Sequence, residues 1–213
     1  MSANHGGSDF EELLAKASAL RGHLCLGLPL GIKMADTGLH LLGMEDARRR
    51  GDLVVFVESN RCAVDAVQVV TGCSMGSRRL KVFDYGKLAA TFLDRSSGKA
   101  VRVFARPQLT KLANEVAVRE GLLKDGESAE VGSEVWRKVM MNAFLKMSAD
   151  QIFDHQEVIL RDGAALLRGP RIPRVHCASC GEEILDGKGV QREGRTVCLA
   201  CDGQAYYRPI PGR

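Results

Sequence analysis

An imidazole and a thiol stand two residues apart in the segment Arg21–Pro29, which reads Arg-Gly-His-Leu-Cys-Leu-Gly-Leu-Pro. Side chains at i and i+2 of a regular strand share a face but lie about 6.5 to 7 Å apart, so His23 and Cys25 need a bent backbone to reach one atom. Gly22 and Gly27 permit such a bend. The pair indicates either a metal site or a nucleophile, and a small buried thiol beside a hydrogen-bonded histidine is the alternative without chemistry.

The helix that follows this turn affects the protonation state of the Cys25 thiol. Pro29 suits the first position of a helix, where its missing N–H costs nothing. Cys25 would then lie close to the positive end of the helix, which favours the thiolate over the thiol. We therefore expect the pKa of Cys25 to be lowered.

Two more cysteines flank a predicted helix in the middle of the chain. Cys62 stands at the start of this helix, in a second position that favours a thiolate, and Gly72 would end it. Cys73 lies eleven residues after Cys62. An unbroken helix would put both on one face but about 16 Å apart, too far to share an ion. Cys73 can join Cys62 only if the chain turns away at Gly72.

A strong metal signal lies near the end of the chain, in two Cys-x-x-Cys pairs, Cys177/Cys180 and Cys198/Cys201. Two such pairs complete a closed four-thiolate site for zinc. A site without an open position is structural, and the metal supplies folding energy to so small a piece. An iron–sulfur cluster and a redox dithiol are the alternatives. His176 could replace one ligand, but its position next to Cys177 makes this awkward.

Composition bounds the class of protein. The chain has 213 residues, of which 45% are hydrophobic and 26% charged, as in an ordinary globular protein. This length fits one moderate domain with a small appendage. No run of about 18 apolar residues predicts a membrane span, and the first residues lack the basic start and apolar core of a signal peptide. We expect a cytoplasmic protein without a membrane partner.

The number of cysteines and the net charge narrow the class of protein further. Seven cysteines without an export signal argue against a disulfide framework and for metal or redox use. The net charge of +4 is too small to indicate nucleic-acid binding by itself. Most of the excess lies from Arg168 onward, where eight basic residues accompany five acidic ones. We do not expect nucleic acid to be the partner.

Hydrophobic spacing predicts the elements that position these groups. A helix of about Asp9–Leu20 leads to the His23 turn, and a second helix runs from Pro29 to its end at Gly43. The remaining segments predicted as strands are Leu53–Val57, Leu80–Phe83, Leu88–Leu93, Ala100–Phe104 and Glu157–Leu160, and the remaining helices follow Cys62, Pro107 and Ser133.

This order of elements predicts the fold class and the domains. Helix, helix, strand, helix and three strands favour an α+β sheet packed on helices over a parallel Rossmann stack. Arg168–Arg174 is typical of a proline-stiffened linker. The predicted domains are a core of residues 1–167, a linker of residues 168–175 and a four-cysteine domain of residues 176–213.

Three stretches of the sequence together resemble the FmdE family of formylmethanofuran dehydrogenase subunits. They are the turn His23-x-Cys25-x-Gly27, the segment Cys62–Cys73 and the turn Asp84-Tyr85-Gly86-Lys87. The similarity covers roughly residues 10 to 165, and a four-cysteine finger at the C-terminus also occurs in family members.

The resemblance implies a fold and a site. The fold is an α+β core similar to the catalytic domain of glyceraldehyde-3-phosphate dehydrogenase, usually as a homodimer. The site is a metal held by His23, Cys25 and Cys62, a donor set that suits zinc best among common ions and leaves one position open. The family often shows His-Gly-His-x-Cys-Pro-Gly; here Arg21 replaces the first histidine and Leu26 the proline.

Three functions remain open. The first is a metal-binding accessory protein linked to molybdenum- or tungsten-dependent formate or formylmethanofuran chemistry, with a molybdenum or tungsten oxidoreductase as partner. The second is a thiol-dependent enzyme or sulfur carrier, in which Cys25 or Cys62 is the nucleophile and His23 the base. The third is a regulatory protein whose basic four-cysteine finger binds nucleic acid.

Overall fold

A computed structural model of the chain describes residues 7–46, 51–124, 130–161 and 174–210. The chain divides into two units, which we call unit 1, Met1–Ile159, and unit 2, Leu160–Arg213. Across the described ranges, no helix combines the length and the apolar character that crossing a bilayer requires.

Unit 1 combines helices with one sheet. In chain order its elements are α1 Gly7–Arg21, α2 Gly27–Leu42, β1 Leu53–Val57, α3 Ala63–Thr71, β2 Leu80–Val82, β3 Ala89–Asp94, β4 Ala100–Ala105, α4 Leu109–Arg119, α5 Glu134–Lys146, α6 Ala149–Ile152 and β5 Phe153–Glu157. The predicted α+β class is confirmed. The implied likeness to glyceraldehyde-3-phosphate dehydrogenase stays a prediction.

The five strands of unit 1 form a mixed sheet of order β2-β1-β3-β4-β5. β1 runs parallel to β2, with α3 as the crossover between them, and antiparallel to β3. The β3–β4 and β4–β5 pairs are antiparallel as well. Since α3 follows β1 directly, the short loop that contains Cys62 leaves the sheet at the carboxyl end of β1, where α/β units commonly place ligand sites.

Both faces of this sheet are buried near its centre. On one face Val55 pairs with Phe92, and both belong to the core that the helices cover. On the other face Arg102 of β4 reaches Glu58, with Nε 2.6 Å from Oε1 and Nη2 2.7 Å from Oε2. The Glu58 side chain is 11% exposed. Removal of either partner would therefore leave a poorly solvated charge.

Helix α2 packs on α3 through two glycines. A β-carbon on Gly31 would lie 2.5 Å from the Ala63 carbonyl oxygen, and one on Gly27 would lie 3.2 Å from Cβ of Cys62. The absence of side chains at these two positions lets the helix backbones approach closely. This contact places the start of α3, and with it Cys62, beside the turn that carries Cys25.

A half-buried lysine connects α2 to the end of α5. The Lys33 ammonium donates to the carbonyl oxygens of Phe144 at 2.8 Å and Leu145 at 3.0 Å, and to that of Met147. The last carbonyls of a helix lack intrahelical partners and attract cations, so Lys33 stabilises this helix end. Burial lowers the pKa of Lys33 to about 8.

Local signals at several helix ends are confirmed. Gly43 and Gly72 both have φ of 66° and end α2 and α3, as predicted. At the start of α5 the Ser133 hydroxyl accepts a hydrogen bond from the backbone N–H of Trp136 at 3.0 Å.

Three predicted boundaries are wrong. Helix α2 begins at Gly27, which makes Pro29 its third residue; the first four N–H groups of a helix lack intrahelical partners, so proline is tolerated there as well. The apolar spacing after Pro107 extends to Leu123 and predicts a helix of that length, but the helix ends at Arg119, because Gly121 turns the chain with φ of 69°.

The third wrong boundary concerns the last strand of unit 1. It covers Phe153–Glu157 and not Glu157–Leu160. Most of its residues are polar, as suits an edge strand with one open side, so apolar content is a poor guide to its position.

Unit 2 contains two short hairpins and a helical turn. Its elements are β6 Val175–His176, paired with β7 Glu183–Ile184; β8 Gly189–Arg192, paired with β9 Arg195–Cys198; and the turn Ala200–Gln204. Most of the predicted linker, residues 168–173, lies outside the described residues.

Candidate metal centres

The four cysteines of unit 2 converge on one point. Their sulfur atoms all lie within 4.8 Å of one another; the residues are Cys177, Cys180, Cys198 and Cys201. The sulfurs of Cys180 and Cys198 are 3.9 Å apart. A tetrahedral zinc ion with Zn–S bonds of about 2.3 Å separates its sulfur ligands by about 3.8 Å. The donor set and its spacing therefore fit zinc.

Backbone N–H groups in unit 2 point at these sulfurs. The Cys177 sulfur accepts from the N–H of Cys198 at 3.2 Å and from that of Ser179 at 3.4 Å. The Cys201 N–H donates to the Cys198 sulfur at 3.4 Å. Backbone N–H groups of Cys180 and Cys198 lower the pKa of Cys177 to about 6. Such bonds stabilise thiolates, which is the form that binds metal.

A tetrathiolate centre of this kind is closed. Four protein ligands complete a tetrahedron, so no position remains for water or substrate, and a metal here holds the unit together. The group does not include His176, whose position next to Cys177 is awkward for a ligand of the same ion.

The second candidate centre lies in unit 1, where α2 meets α3. Cys62 lies close enough to the Cys25 thiol to contribute to its raised pKa, and both residues are half-buried. Cys25 lies in the turn between α1 and α2, and Cys62 immediately precedes α3. The structure thus brings together two predicted ligands that lie far apart along the chain. We call Cys25 and Cys62 the thiol pair.

His23 and Cys73 stand apart from the thiol pair. In the part of the chain that the structure describes, only the four cysteines of unit 2 group three or more His, Cys, Asp or Glu ligand atoms within 4.8 Å. His23 is exposed on its turn. Cys73 follows the other end of α3 and donates to the Leu53 carbonyl at 3.5 Å. The three-ligand centre therefore stays a prediction, with two of its members, Cys25 and Cys62, close to each other.

The pKa of Cys25 differs from expectation. Burial and the neighbouring Cys62 raise the pKa of Cys25 to about 11, although the N–H groups of Gly27 and Leu28 act in the opposite sense. The effect of the helix start is thus present but smaller than that of burial. The predicted lowering of the pKa is wrong for the metal-free chain. A metal cation that binds here displaces the proton.

Arg21 is a residue of this centre that the sequence marked only as a departure from a motif. It ends α1, and its Nε lies 3.6 Å from Oδ2 of Asp65 in the first turn of α3. The neighbouring Cys62 raises the pKa of the guanidinium. A permanent positive charge therefore lies beside the thiol pair.

Two family models match separate parts of the chain. Residues 20–154 match the family described as "FmdE, Molybdenum formylmethanofuran dehydrogenase operon". Residues 172–207 match the family described as "Prokaryotic dksA/traR C4-type zinc finger". The first match contains the thiol pair, and the second contains the four cysteines of unit 2, in agreement with a zinc site there.

Two known proteins are similar over most of the chain. The crystal structure of an FmdE-like protein from Syntrophus aciditrophicus, named for tungsten formylmethanofuran dehydrogenase, has 26% identity and a TM-score of 0.65, covering 93% of this chain and 95% of that one. A "Probable S-adenosyl-L-methionine-binding protein" of Archaeoglobus fulgidus is 30% identical over 93% of this chain. The chain spans 55% of the length of that curated relative.

Proposed function

Because residues 20–154 match its family model, the chain belongs to the FmdE family, and we propose that it is a metal-binding accessory protein with a structural and a functional metal. Zinc in unit 2 is the structural ion. The functional ion is held by the thiol pair and His23. The family description and the solved relative, both named for formylmethanofuran dehydrogenase, support a link to molybdenum- or tungsten-dependent formate or formylmethanofuran chemistry.

The observation that carries this proposal is the proximity of Cys25 and Cys62. A β-carbon on Gly27, two residues after Cys25, would lie 3.2 Å from Cβ of Cys62, and Cys62 contributes to the raised pKa of Cys25. Two sulfurs from separate elements in a half-buried position provide half of a tetrahedral centre. His23 follows Gly22, whose φ of 88° turns the chain, and its exposure leaves the imidazole room to rotate towards the sulfurs. A metal with these three ligands supplies a Lewis acid with one open position.

The two other functions predicted from the sequence receive less support. A thiol whose pKa is raised to about 11 is protonated at neutral pH, which counts against Cys25 as a nucleophile. The predicted four-cysteine domain, residues 176–213, has five basic and five acidic residues, because the remaining arginines of the C-terminal region precede it. This balanced charge counts against a finger that binds nucleic acid through its phosphates.

Metal stoichiometry tests the proposal. Native mass spectrometry with elemental analysis should find two ions per chain in the wild type and one in both Cys25→Ser and Cys180→Ser. Each variant should lose a different ion, so the double variant should carry none. A wild type with a single ion that only Cys180→Ser removes would contradict the functional metal.

The partners of the proposed accessory protein are a second copy of the chain and a molybdenum or tungsten oxidoreductase. Both come from the family alone. Light scattering on the purified protein should give the mass of a homodimer, and a mass of one chain would contradict it. Co-purification with such an oxidoreductase from the native organism, lost in Cys25→Ser, would support the second partner.

A second candidate function is S-adenosyl-L-methionine binding, which the relative from Archaeoglobus fulgidus favours by its name and its 30% identity. The match covers 93% of this chain but 55% of that protein. Calorimetric titration of the full chain with S-adenosyl-L-methionine tests it. Saturable binding would support the candidate, and the absence of heat at millimolar ligand would remove it.

A further inference from the structure

The first Cys-x-x-Cys pair of unit 2 is connected to neighbouring segments through the backbone. The Cys177 N–H donates to the Glu182 carbonyl oxygen at 2.8 Å. The Ala178 N–H donates to the Thr196 carbonyl oxygen at 2.9 Å. These two hydrogen bonds involve no side chain.

The second Cys-x-x-Cys pair is connected through two charged side chains. Cys198 ends β9, whereas Cys201 lies in the turn Ala200–Gln204. Asp202, the residue after Cys201, accepts a hydrogen bond through Oδ1 from Nε of Arg192, the last residue of β8. This ion pair connects the turn that contains Cys201 to the β8–β9 hairpin.

The carboxylate of this ion pair is enclosed. The Asp202 side chain is 7% exposed, while that of Arg192 is 64% exposed. The Gln204 amide nitrogen lies 3.4 Å from Oδ2 of Asp202, the oxygen that does not face Arg192. An enclosed carboxylate needs a cationic partner, because removal of a lone charge from water is costly.

The charge of the zinc site strengthens this need. A zinc ion with four thiolate ligands has a net charge of about −2, because each thiolate contributes one negative charge. Asp202, next to a ligand in the sequence, adds another. Without Arg192, like charges would lie close together in a poorly solvated place, which would destabilise the zinc-bound state.

We propose that Arg192 and Asp202 are positioning residues of the zinc site in unit 2. Asp202 holds the turn that presents the Cys201 sulfur to β8, and Arg192 offsets the negative charge of the carboxylate and of the four thiolates. This inference rests on the zinc proposed for unit 2 and assigns to that site two residues that bind no metal. Loss of outer partners of this kind typically weakens metal binding by about 10- to 100-fold.

The test uses the full chain with Cys25→Ser, so that the metal proposed for unit 1 contributes nothing. Zinc affinity, measured in competition with a chelator, should fall by about 10- to 100-fold in Arg192→Gln. Arg192→Lys, which keeps a charged donor, should recover part of this loss. With cobalt(II) in place of zinc, the absorption bands report the tetrahedral geometry and should change in Arg192→Gln.

A double variant separates this role from general support of the fold. Asp202→Asn removes the charge but keeps an oxygen acceptor, so it should weaken zinc binding less than Arg192→Gln does. The double variant of both changes should bind zinc more tightly than Arg192→Gln alone, because no carboxylate is left without its cation. Two residues that merely support the fold would give a double variant at least as weak as Arg192→Gln.

Arg195→Gln is the matched control. Arg195 pairs with Arg192 across the hairpin and is exposed. This variant removes the same charge from the same end of the hairpin, so it should leave zinc affinity and the cobalt bands unchanged.

The failures of the two proposals are distinguishable. If the chain with Cys25→Ser binds no zinc that Cys180→Ser removes, the zinc site of unit 2 and this inference both fail. If it binds such zinc but Arg192→Gln and Arg195→Gln have equal affinities, the inference alone fails. A double variant that binds zinc no more tightly than Arg192→Gln would overturn it as well.

NMR spectra at saturating zinc show whether β8 and β9 are formed in each variant. If Arg192→Gln does not fold, Arg192→Lys and Arg195→Lys decide the question. Arg192→Lys should bind zinc more weakly than Arg195→Lys, because lysine cannot reproduce the planar donor group that faces Asp202. Equal affinities of these two variants would overturn the inference.

Discussion

Gly31 of α2 lies so close to Ala63 of α3 that a β-carbon on residue 31 would come within 2.5 Å of the Ala63 carbonyl oxygen and 2.8 Å of Cβ of Ala66. Ordinary van der Waals contact needs more space, so any side chain here would push the helices apart. The distance between α2 and α3 in turn sets the distance between Cys25 and Cys62.

Gly31→Ala should therefore destabilise unit 1 and weaken the metal binding that we propose for Cys25 and Cys62. Overpacking of this kind typically costs about 1 to 3 kcal/mol, which urea unfolding measures. Cobalt binding at the thiol pair should weaken as well. Gly76→Ala is the matched control, since a β-carbon there has no neighbour within 4 Å. Equal stability of the two variants would contradict the proposed role of the close contact.

Arg102→Ala should be among the most destabilising single changes on the sheet. It leaves the carboxylate of Glu58, 11% exposed, without its bidentate partner, and breaking a buried pair typically costs about 3 to 5 kcal/mol. Lys138→Ala removes an exposed ion pair with Glu134 and should cost less than about 1 kcal/mol. Urea unfolding compares the two; a small effect of Arg102→Ala would mean that water or another cation compensates Glu58.

Cys180→Ser should release the zinc of unit 2 and unfold that unit while unit 1 keeps its structure. One sulfur of the closed tetrahedron is lost, and a unit with few buried side chains depends on the metal for folding. Loss of one ion should accompany loss of the NMR signals of β6 to β9. Lys188→Ala, an exposed change in the same unit, should retain the ion. A folded unit 2 without zinc would refute this account.

Lys33 should make stability rise with pH under alkaline conditions. Its pKa falls from an ordinary value of 10.5 to about 8 because it is buried. Between these two values the unfolded chain binds the proton more strongly, so rising pH favours the folded state. The free energy of unfolding of the wild type should increase relative to that of Lys33→Met from pH 8 to 10.5.

The control for this pH dependence is Lys16→Met, because Lys16 is exposed on α1. The difference in the free energy of unfolding between Lys16→Met and the wild type should change little over the same pH range. If the difference in the free energy of unfolding between the wild type and Lys33→Met stays constant or falls as the pH rises, the three carbonyl acceptors, and not burial, set the pKa of Lys33.

Signals carried by neighbouring residues predicted much of this structure. The β-branched run Leu53–Val57 is a strand, Gly43 and Gly72 end helices, and the two Cys-x-x-Cys pairs converge. In each case the residues that determine the feature are close in sequence or belong to a repeated short motif. The sequence alone therefore contained the information needed.

Features that depend on distant contacts were missed. Gly31 packs against Ala63 of α3, and Glu58 accepts hydrogen bonds from Arg102 of another strand. The residues next to Gly31 and Glu58 in the sequence do not indicate either partner. The direction of the Cys25 pKa shift was predicted wrongly for the same reason, because burial and the neighbouring Cys62 outweigh the start of the helix that follows Cys25. For the site proposed in unit 1, the sequence indicated Cys25 and Cys62, while the close packing of α2 on α3 and the ion pair of Arg21 with Asp65 needed the fold.

The backbone contact between α2 and α3 also bears on protein engineering. Because Gly27 and Gly31 make the close contact between the two helices, the exposed side chains at positions 21 and 23 do not contribute to it. Their identities can be exchanged to retune ion preference or reactivity while the underlying architecture persists. Libraries randomised at these two positions should therefore yield many soluble members, whereas libraries at positions 27 and 31 should yield few.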